Sequence, residues 1–352
     1  MSKQNRKVTV EAEAEINWEA LETLIHSDIY GLETEPMHVT QFTEGYSNLT
    51  FLLKIGNWEG VMRRPPFGKI PERAHDVERE FRILEKINPE FPLAPKPYLY
   101  KDQSEIMDKH FYIMEKKTGI VLDDNIPSFY ENSPNLRHKI SESVVDTLVQ
   151  LHSVDYQKVG LDSLGKPDGY LERQVHGWIK RYHASQTDEI EIVNKIEKWL
   201  TTNIPASPKP TIVHNDYKLN NMMLSLSDPG KVIALFDWEL CTVGDPLTDL
   251  GAAICYWKDE NDPFTTINSV TSLGGFISRK EFMEMYAKKS GRDLSNFNFY
   301  LALAYFKTAV ILQQIYYRWK NGHLQDDRII NLDISIKNLL NSSYESIHTK
   351  VI

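Results

Sequence analysis

The nine residues Val213-His214-Asn215-Asp216-Tyr217-Lys218-Leu219-Asn220-Asn221 constrain this chain more than any other stretch. A short apolar strand runs into a polar loop in which an Asp and an Asn stand five apart. Sixteen residues after Asn221, a second apolar strand ends at Asp237, followed by Trp238-Glu239. Each part alone is commonplace, because Asp and Asn favour turns at strand ends. The ordered combination is rare, and it supplies what phosphoryl transfer requires. Asp216 is expected to accept the proton of an attacking hydroxyl. The oxygens of Asn221 and Asp237 are hard ligands suited to Mg²⁺. Lys218 is the cation that can neutralise charge growing on a transferred phosphoryl group.

Length and composition set outer bounds. A chain of 352 residues has room for about two domains and a sizeable core. With 40 Lys and Arg against 49 Asp and Glu, its formal charge is −9. That balance disfavours nonspecific nucleic-acid or anionic-membrane binding, since phosphate surfaces reward cations. Only Cys241 and Cys255 are present, too few for a disulfide framework or a four-Cys metal site. No apolar run reaches the roughly 20 residues of a membrane span, and Met1 to Trp18 is too charged for a secretory signal. A cytoplasmic protein is the expectation, with no nucleic-acid or membrane partner; the oligomeric state is left open. The sequons at Asn48 and Asn341 are then chance matches. So is Gly160 to Lys166, which has phosphate-loop spacing but is followed by Pro167 and preceded by no strand.

The pattern changes character along the chain. Trp18 to His26 reads as a short helix. His38–Phe42, Leu49–Ile55 and Gly60–Arg64 read as strands, separated by turns at 43–48 and 57–60. A helix is expected from Arg73 to Ile87. Tyr98–Lys101 and Phe111–Glu115 follow as strands beyond a proline-rich loop. After Gly119 helices dominate: 135–154, 170–184, 190–202, and further segments near Pro246, Lys280, 296–322 and 333–348. Thr211–His214 and Val232–Asp237 are short strands among them. The fold class expected is α+β, with a small antiparallel-sheet lobe (1–116) and a larger helical lobe (117–352).

The chain resembles the aminoglycoside phosphotransferase/choline kinase superfamily, which shares the protein-kinase fold. His214-Asn215-Asp216, Asn221, Asp237, Gly244-Asp245-Pro246 and Asp249-Leu250 carry the resemblance. Within that superfamily it looks most similar to the phosphotransferase-like domains fused to some acyl-CoA dehydrogenases, through 44–50, Arg63-Arg64-Pro65-Pro66, Gln174-Val175 with Trp178, and 236–239. The resemblance implies an active site in the cleft between two lobes, with ATP or GTP and Mg²⁺ as cofactors. Ser47 and Asn48, in the first turn, are placed to meet phosphates. Arg63 occupies a slot that is Lys in most relatives, and its fork differs from an ammonium. Glu80 is its implied partner. Met114 and Glu115 lie in the linker whose backbone would pair with the nucleotide base. Asp245 is expected to order the catalytic loop; His214 and His152 are expected to be structural.

The acceptor is expected in the helical lobe. Gln174, Trp178 and Arg181 share a helix face, and Arg173 adjoins it. Cations beside an aromatic suggest an anionic acceptor. Arg318 is a further candidate. The reading is an Mg-dependent O-phosphotransferase acting on a hydroxylated small molecule such as a hydroxy acid or acyl-CoA ester. The alternatives are an aminoglycoside or amino-alcohol kinase, or a nucleotide-binding regulatory module. A protein kinase is disfavoured, because Asp-Phe-Gly and an Ala-Pro-Glu activation segment are absent.

Overall fold

The computed structural model describes residues 6–42, 48–67, 76–102, 105–123, 126–267, 269–324, 326 and 329–349. The chain forms two compact units: one runs to Thr118 and includes Ala234–Glu239, and the other comprises Gly119–Ile233 and the chain from Leu240 onward. The class is α+β.

In the smaller unit, β1 (Arg6–Lys7), α1 (Val10–Glu15) and α2 (Trp18–Asp28) precede the expected strands. They are followed by β2 (His38–Gln41), β3 (Leu49–Ile55), β4 (Trp58–Arg64), α3 (Val77–Ile87), β5 (Pro97–Lys101) and β6 (Phe111–Glu115). The sheet order is β1-β2-β3-β4-β6-β5, antiparallel apart from β1 against β2. The register sets Phe51 opposite Met62 and Arg63 opposite Tyr112. Alternation along β3 sends Phe51, Leu53 and Ile55 to one face, where all three are buried with Trp18, Leu21 and Ile25 of α2. Each such side chain contributes about 1.5–3 kcal/mol on burial. The edge ring of Trp18 meets Phe51 at 5.6 Å between centroids.

Strand β4 is buried on both faces, so neighbouring arginines point opposite ways. Arg64 is fully buried on the face away from Arg63, donating to Asp108 at 2.9 Å and lying 4.1 Å over Phe67. Asp76 caps α3 by accepting from the Arg79 N–H. Val77, Glu80, Leu84 and Ile87 then fall on its inner face. Residues 234–239 pack with this unit although they follow the larger one in sequence. Leu235 donates its N–H to Leu93 O at 2.9 Å, and buried Trp238 sits edge-on to Phe91 at 5.8 Å.

In the larger unit, α4 (Ser128–Glu131), α5 (Pro134–Ser153), α6 (Tyr170–Ser185) and α7 (Glu191–Thr202) come first. Then follow β7 (Thr211–Val213), β8 (Met222–Leu224), β9 (Val232–Leu235), which carries the chain into the smaller unit, and β10 (Thr242–Gly244). Helices α8 (Leu247–Tyr256), α9 (Arg279–Ser290), α10 (Phe297–Lys320) and α11 (Leu332–His348) complete it. Helix α10 is the hub, packed by α6, α7, α8 and α11. It is apolar nearly all round, as a helix buried by neighbours must be. β10 pairs antiparallel with β7, setting Gly244 opposite Thr211. None of the described helices is long and apolar enough to cross a membrane.

Candidate active site

The loop after β7 is the centre of the larger unit's site. Asn215 has φ of 68°, and Asp237 in the smaller unit has φ of 63°. Among the described residues these are the two non-glycine positions with positive φ. Asn and Asp tolerate this left-handed region best, and such strain collects at functional sites. In Asn215 it turns the backbone so that Asp216 leaves β7 toward a cavity.

Buried Asp249, in the first turn of α8, holds that turn. It accepts the His214 N–H at 2.5 Å and the Asn215 N–H at 2.7 Å. His152 Nε2 lies 3.4 Å from the same carboxylate, while His152 Nδ1 is 2.7 Å from the Tyr286 hydroxyl. Burial holds His152 below its ordinary pKa. Its geometry is then that of a neutral ring donating to Asp249 and accepting from Tyr286. Burial also pushes Asp249 up, but the hydrogen bonds from His152 and from the His214 N–H outweigh it, and the carboxyl sits below its ordinary pKa. Asp245, the expected organiser, has another job. It accepts from the Tyr300 hydroxyl at 2.8 Å and caps the Leu247 N–H at 3.0 Å, fixing the start of α8. The ordering role belongs to Asp249, four residues on. His152 and His214 are both buried.

Asp216 gathers the predicted catalytic group. Lys218 Nζ is 3.0 Å from Asp216 Oδ2. Asn221 Nδ2 donates to Asp216 Oδ2 and to Asp216 O, both at 2.9 Å. This spacing follows from the single 3₁₀ turn at Leu219–Asn221, which folds Asn221 back on the Asp five residues earlier. With its nitrogen so committed, the Asn221 amide oxygen is the atom left for a cation. That is a hard donor, and the donor chemistry of Asn221 and Asp237 fits Mg²⁺.

In the smaller unit, Arg63 Nη1 donates to Glu80 Oε1 at 2.9 Å and reaches Asp237 Oδ1 at 3.3 Å. Arg63 and Glu80 are buried; Asp237 is half-exposed. Burial opposes the Arg63 charge, but Glu80, Tyr112 and Asp237 overcome it and raise its pKa. Burial raises the Glu80 carboxyl against the pull of Arg63. Asn48 Oδ1 is buried without a hydrogen-bond partner among the described residues. Ser47, and the turn at 43–47, lie outside the described residues. Met114 is buried. The Glu115 N–H is already given to Lys96 O at 2.7 Å, and its carboxylate pairs with Lys117 Nζ at 2.9 Å. A base recognised by this strand end must therefore use other backbone groups than the Glu115 amide.

A cavity of about 270 Å³ opens beside Asp216 within the larger unit. Gln174, Trp178 and Arg181 all line it, as their shared helix face predicts. Trp178 Nε1 donates to Gln174 Oε1 at 3.2 Å, and the Arg181 guanidinium stacks 4.6 Å from the Trp178 ring. Arg173 does not join them. One position off that face, it is exposed and donates to the backbone oxygens of Lys166 and Asp168. Arg318 is exposed on α10 and is also not among the lining residues.

The residue that sequence reasoning missed is Lys307. From α10 it lines the cavity, donates to Asn215 O at 3.1 Å, and lies 5.7 Å from the Trp178 ring. Burial lowers its pKa, with Asp249 and Asp216 pulling the other way. A lone Lys in a helix that reads as core gives no spacing signal. Tyr170 was also missed; its hydroxyl donates to Asn215 Oδ1 at 3.3 Å. Gly244 makes room for it, since a Cβ there would stand 2.6 Å from the Tyr170 ring. This is why the Gly-Asp-Pro turn begins with glycine.

A sheet unit with a buried Arg–Glu pair, and a helical unit with an Asp–Asn–Lys loop, are features of a kinase-like fold. The model of the phosphotransferase enzyme family matches residues 38–279, and the chain belongs to that family. The rat acyl-CoA dehydrogenase family member 11 is 36% identical over 292 residues, covering 81% of this chain and 37% of that protein. The chain spans less than half the length of the curated relatives it matches. Among solved structures, a Ralstonia eutropha protein provisionally named an aminoglycoside phosphotransferase aligns with a TM-score of 0.83 and 30% identity, over 95% of this chain and 98% of that one. A thermostable mutant of the phosphotransferase APH(4)-Ia, solved with ADP and hygromycin B, aligns with a TM-score of 0.59 and 15% identity, over 92% and 98%. That last likeness speaks to the fold alone.

Proposed function

We propose that this chain moves the γ-phosphoryl group of a purine nucleoside triphosphate, with Mg²⁺, to a hydroxyl of an anionic small molecule such as a hydroxy acid or acyl-CoA ester. The observation that carries this reading is Asp216 on the wall of a largely apolar cavity, with Lys218 and Asn221 fastened to its carboxylate. Asp216 orients the acceptor hydroxyl and takes its proton. The acceptor oxygen bonds to the γ-phosphorus as the bond to the bridging β–γ oxygen breaks, so the diphosphate leaves. Lys218 neutralises charge on the group in transit. Asn221 and Asp237 are the residues that would hold Mg²⁺, whose bound form neutralises and orients phosphate oxygens. Arg63, kept in place by Glu80, would grip the phosphates.

The cavity's cations favour an anionic acceptor over an aminoglycoside. Arg181 and Lys307 line it, and Asp216 is the one carboxylate among its described lining residues. The experiment is a product screen with ATP and GTP plus Mg²⁺ against hydroxy acids, acyl-CoA esters, amino alcohols, sugars and aminoglycosides. A phosphorylated anionic product supports the reading. No phosphorylated product from any class, with no thermal shift from either nucleotide, refutes it.

A further inference from the structure

We propose that Lys307 is the specificity-determining residue of the acceptor cavity: its ammonium binds a carboxylate or similar anion on the acceptor while tethering the catalytic loop through Asn215. The inference rests on the reading of this cavity as the acceptor site. Four observations support it.

The first is donor capacity. An ammonium has three N–H donors, and Lys307 gives one to Asn215 O. Two remain for a ligand. The second is the missing counter-ion. Lys307 is half-buried and makes no ion pair with a carboxylate among the described residues, although Asp249 and Asp216 act on it from beyond ion-pairing distance. The third is reinforcement. Lys307 and Arg181 both flank the Trp178 ring, at 5.7 and 4.6 Å, so two cations converge on one aromatic at the cavity wall. The fourth is the rest of the lining. Ala252, Leu303, Ala304 and Ile311 offer an acceptor skeleton apolar contact, and polar lining groups such as Gln174, Thr248 and Thr308 are neutral, so selection by charge falls to Lys307, Arg181 and Asp216.

The tether gives the residue its second effect. Asn215 O, which accepts from Lys307, belongs to the left-handed residue just before Asp216. The same ammonium therefore sees both the acceptor's anion and the backbone that aims Asp216. Asp216 lines the same cavity, so a hydroxyl further along an acceptor whose anion sits on Lys307 can face it.

The test uses the full chain and two probes of equal length, 6-hydroxyhexanoate and 1,6-hexanediol, which differ in one carboxylate. Their dissociation constants are measured by calorimetry for the wild type, Lys307→Gln, Lys307→Arg and Arg173→Gln. Lys307→Gln keeps an N–H donor on that side chain but removes the charge. The wild type should bind the hydroxy acid at least about tenfold more tightly than the diol, which corresponds to about 1.4 kcal/mol. Lys307→Gln should abolish that preference, Lys307→Arg should keep most of it, and Arg173→Gln should leave it unchanged. A wild-type preference that survives in Lys307→Gln overturns the proposal, as does a wild type without preference. Lys307→Arg carries the same comparison if Lys307→Gln fails to fold: loss of the preference in a folded Lys307→Arg counts against a charge role, and retention supports it. Carboxylate binding that depends on Lys307, in a protein that phosphorylates nothing, would sustain this inference and refute the phosphotransferase reading instead.

Discussion

Asp249→Asn exchanges one carboxylate oxygen for an amide NH₂ and leaves the side chain the same size. In the wild type both oxygens accept: one takes the Asn215 N–H at 2.7 Å, the other the His214 N–H at 2.5 Å. In either rotamer the asparagine NH₂ must face one of these backbone donors. One charge-assisted bond is lost, worth about 1.5–3 kcal/mol, and the survivor becomes a neutral bond of about half the strength. His152 also loses a charged acceptor. The sum is about 3 kcal/mol of stability, applied to an ordinary total of about 5–15 kcal/mol. For a unit of this size that is a fall in melting temperature of roughly 6–12 °C. Because the two N–H groups lie on the residues immediately before Asp216, turnover should fall alongside stability, while binding of Mg-nucleotide changes less. The assays are urea unfolding followed by tryptophan fluorescence, and initial rates with whichever acceptor the screen yields. A variant within about 0.5 kcal/mol of wild type and equally active would refute the claim that Asp249 holds the catalytic loop, since measured changes that small belong to ordinary surface substitutions.

Two further outcomes follow from buried charge. Burial holds His152 below the 6.5 of an ordinary imidazole. The unfolded chain therefore takes up that proton first, and stability that is complete above about pH 6.5 is lost as pH falls below it. Unfolding midpoints measured between pH 7.5 and 5 should decline, and His152→Gln should flatten the decline; a wild-type midpoint that rises on acidification contradicts this. Arg63→Met leaves Glu80 buried without its cation and should cost about 3–5 kcal/mol, with Arg63→Lys costing less. Denaturant titration of both variants checks it, and a loss below about 1 kcal/mol for Arg63→Met would sink the buried-pair account.

The parts of the site legible in the sequence are those whose geometry is local. Asp216, Lys218 and Asn221 sit in one loop, and a single 3₁₀ turn brings them together. Strand β3 and strand β6 match their expected ranges, because alternation and flanking turns mark them. Helical phase placed Gln174, Trp178 and Arg181 on one face, and the same phase excludes Arg173, about 100° away. What the sequence hid depends on long-range packing. Lys307 lies in α10, whose apolar residues run nearly all round, so no periodicity singles out its cavity-facing side. Asp245 and Asp249 are both acids in one motif, and only the three-dimensional path of β7 shows which meets the loop amides. The short β1, α1, β8 and β10 escaped notice because segments of two to six residues carry too little pattern.

The central claim is that Asp216 handles the proton of a phosphoryl acceptor. Its most direct test is the steady-state rate of phosphorylated product for the wild type and Asp216→Asn, with Mg-nucleotide affinity measured in parallel by thermal shift. The account predicts a fall in turnover of about 10²–10⁴, the range for a lost general base, with nucleotide affinity nearly unchanged. Equal turnover in the two proteins would contradict it.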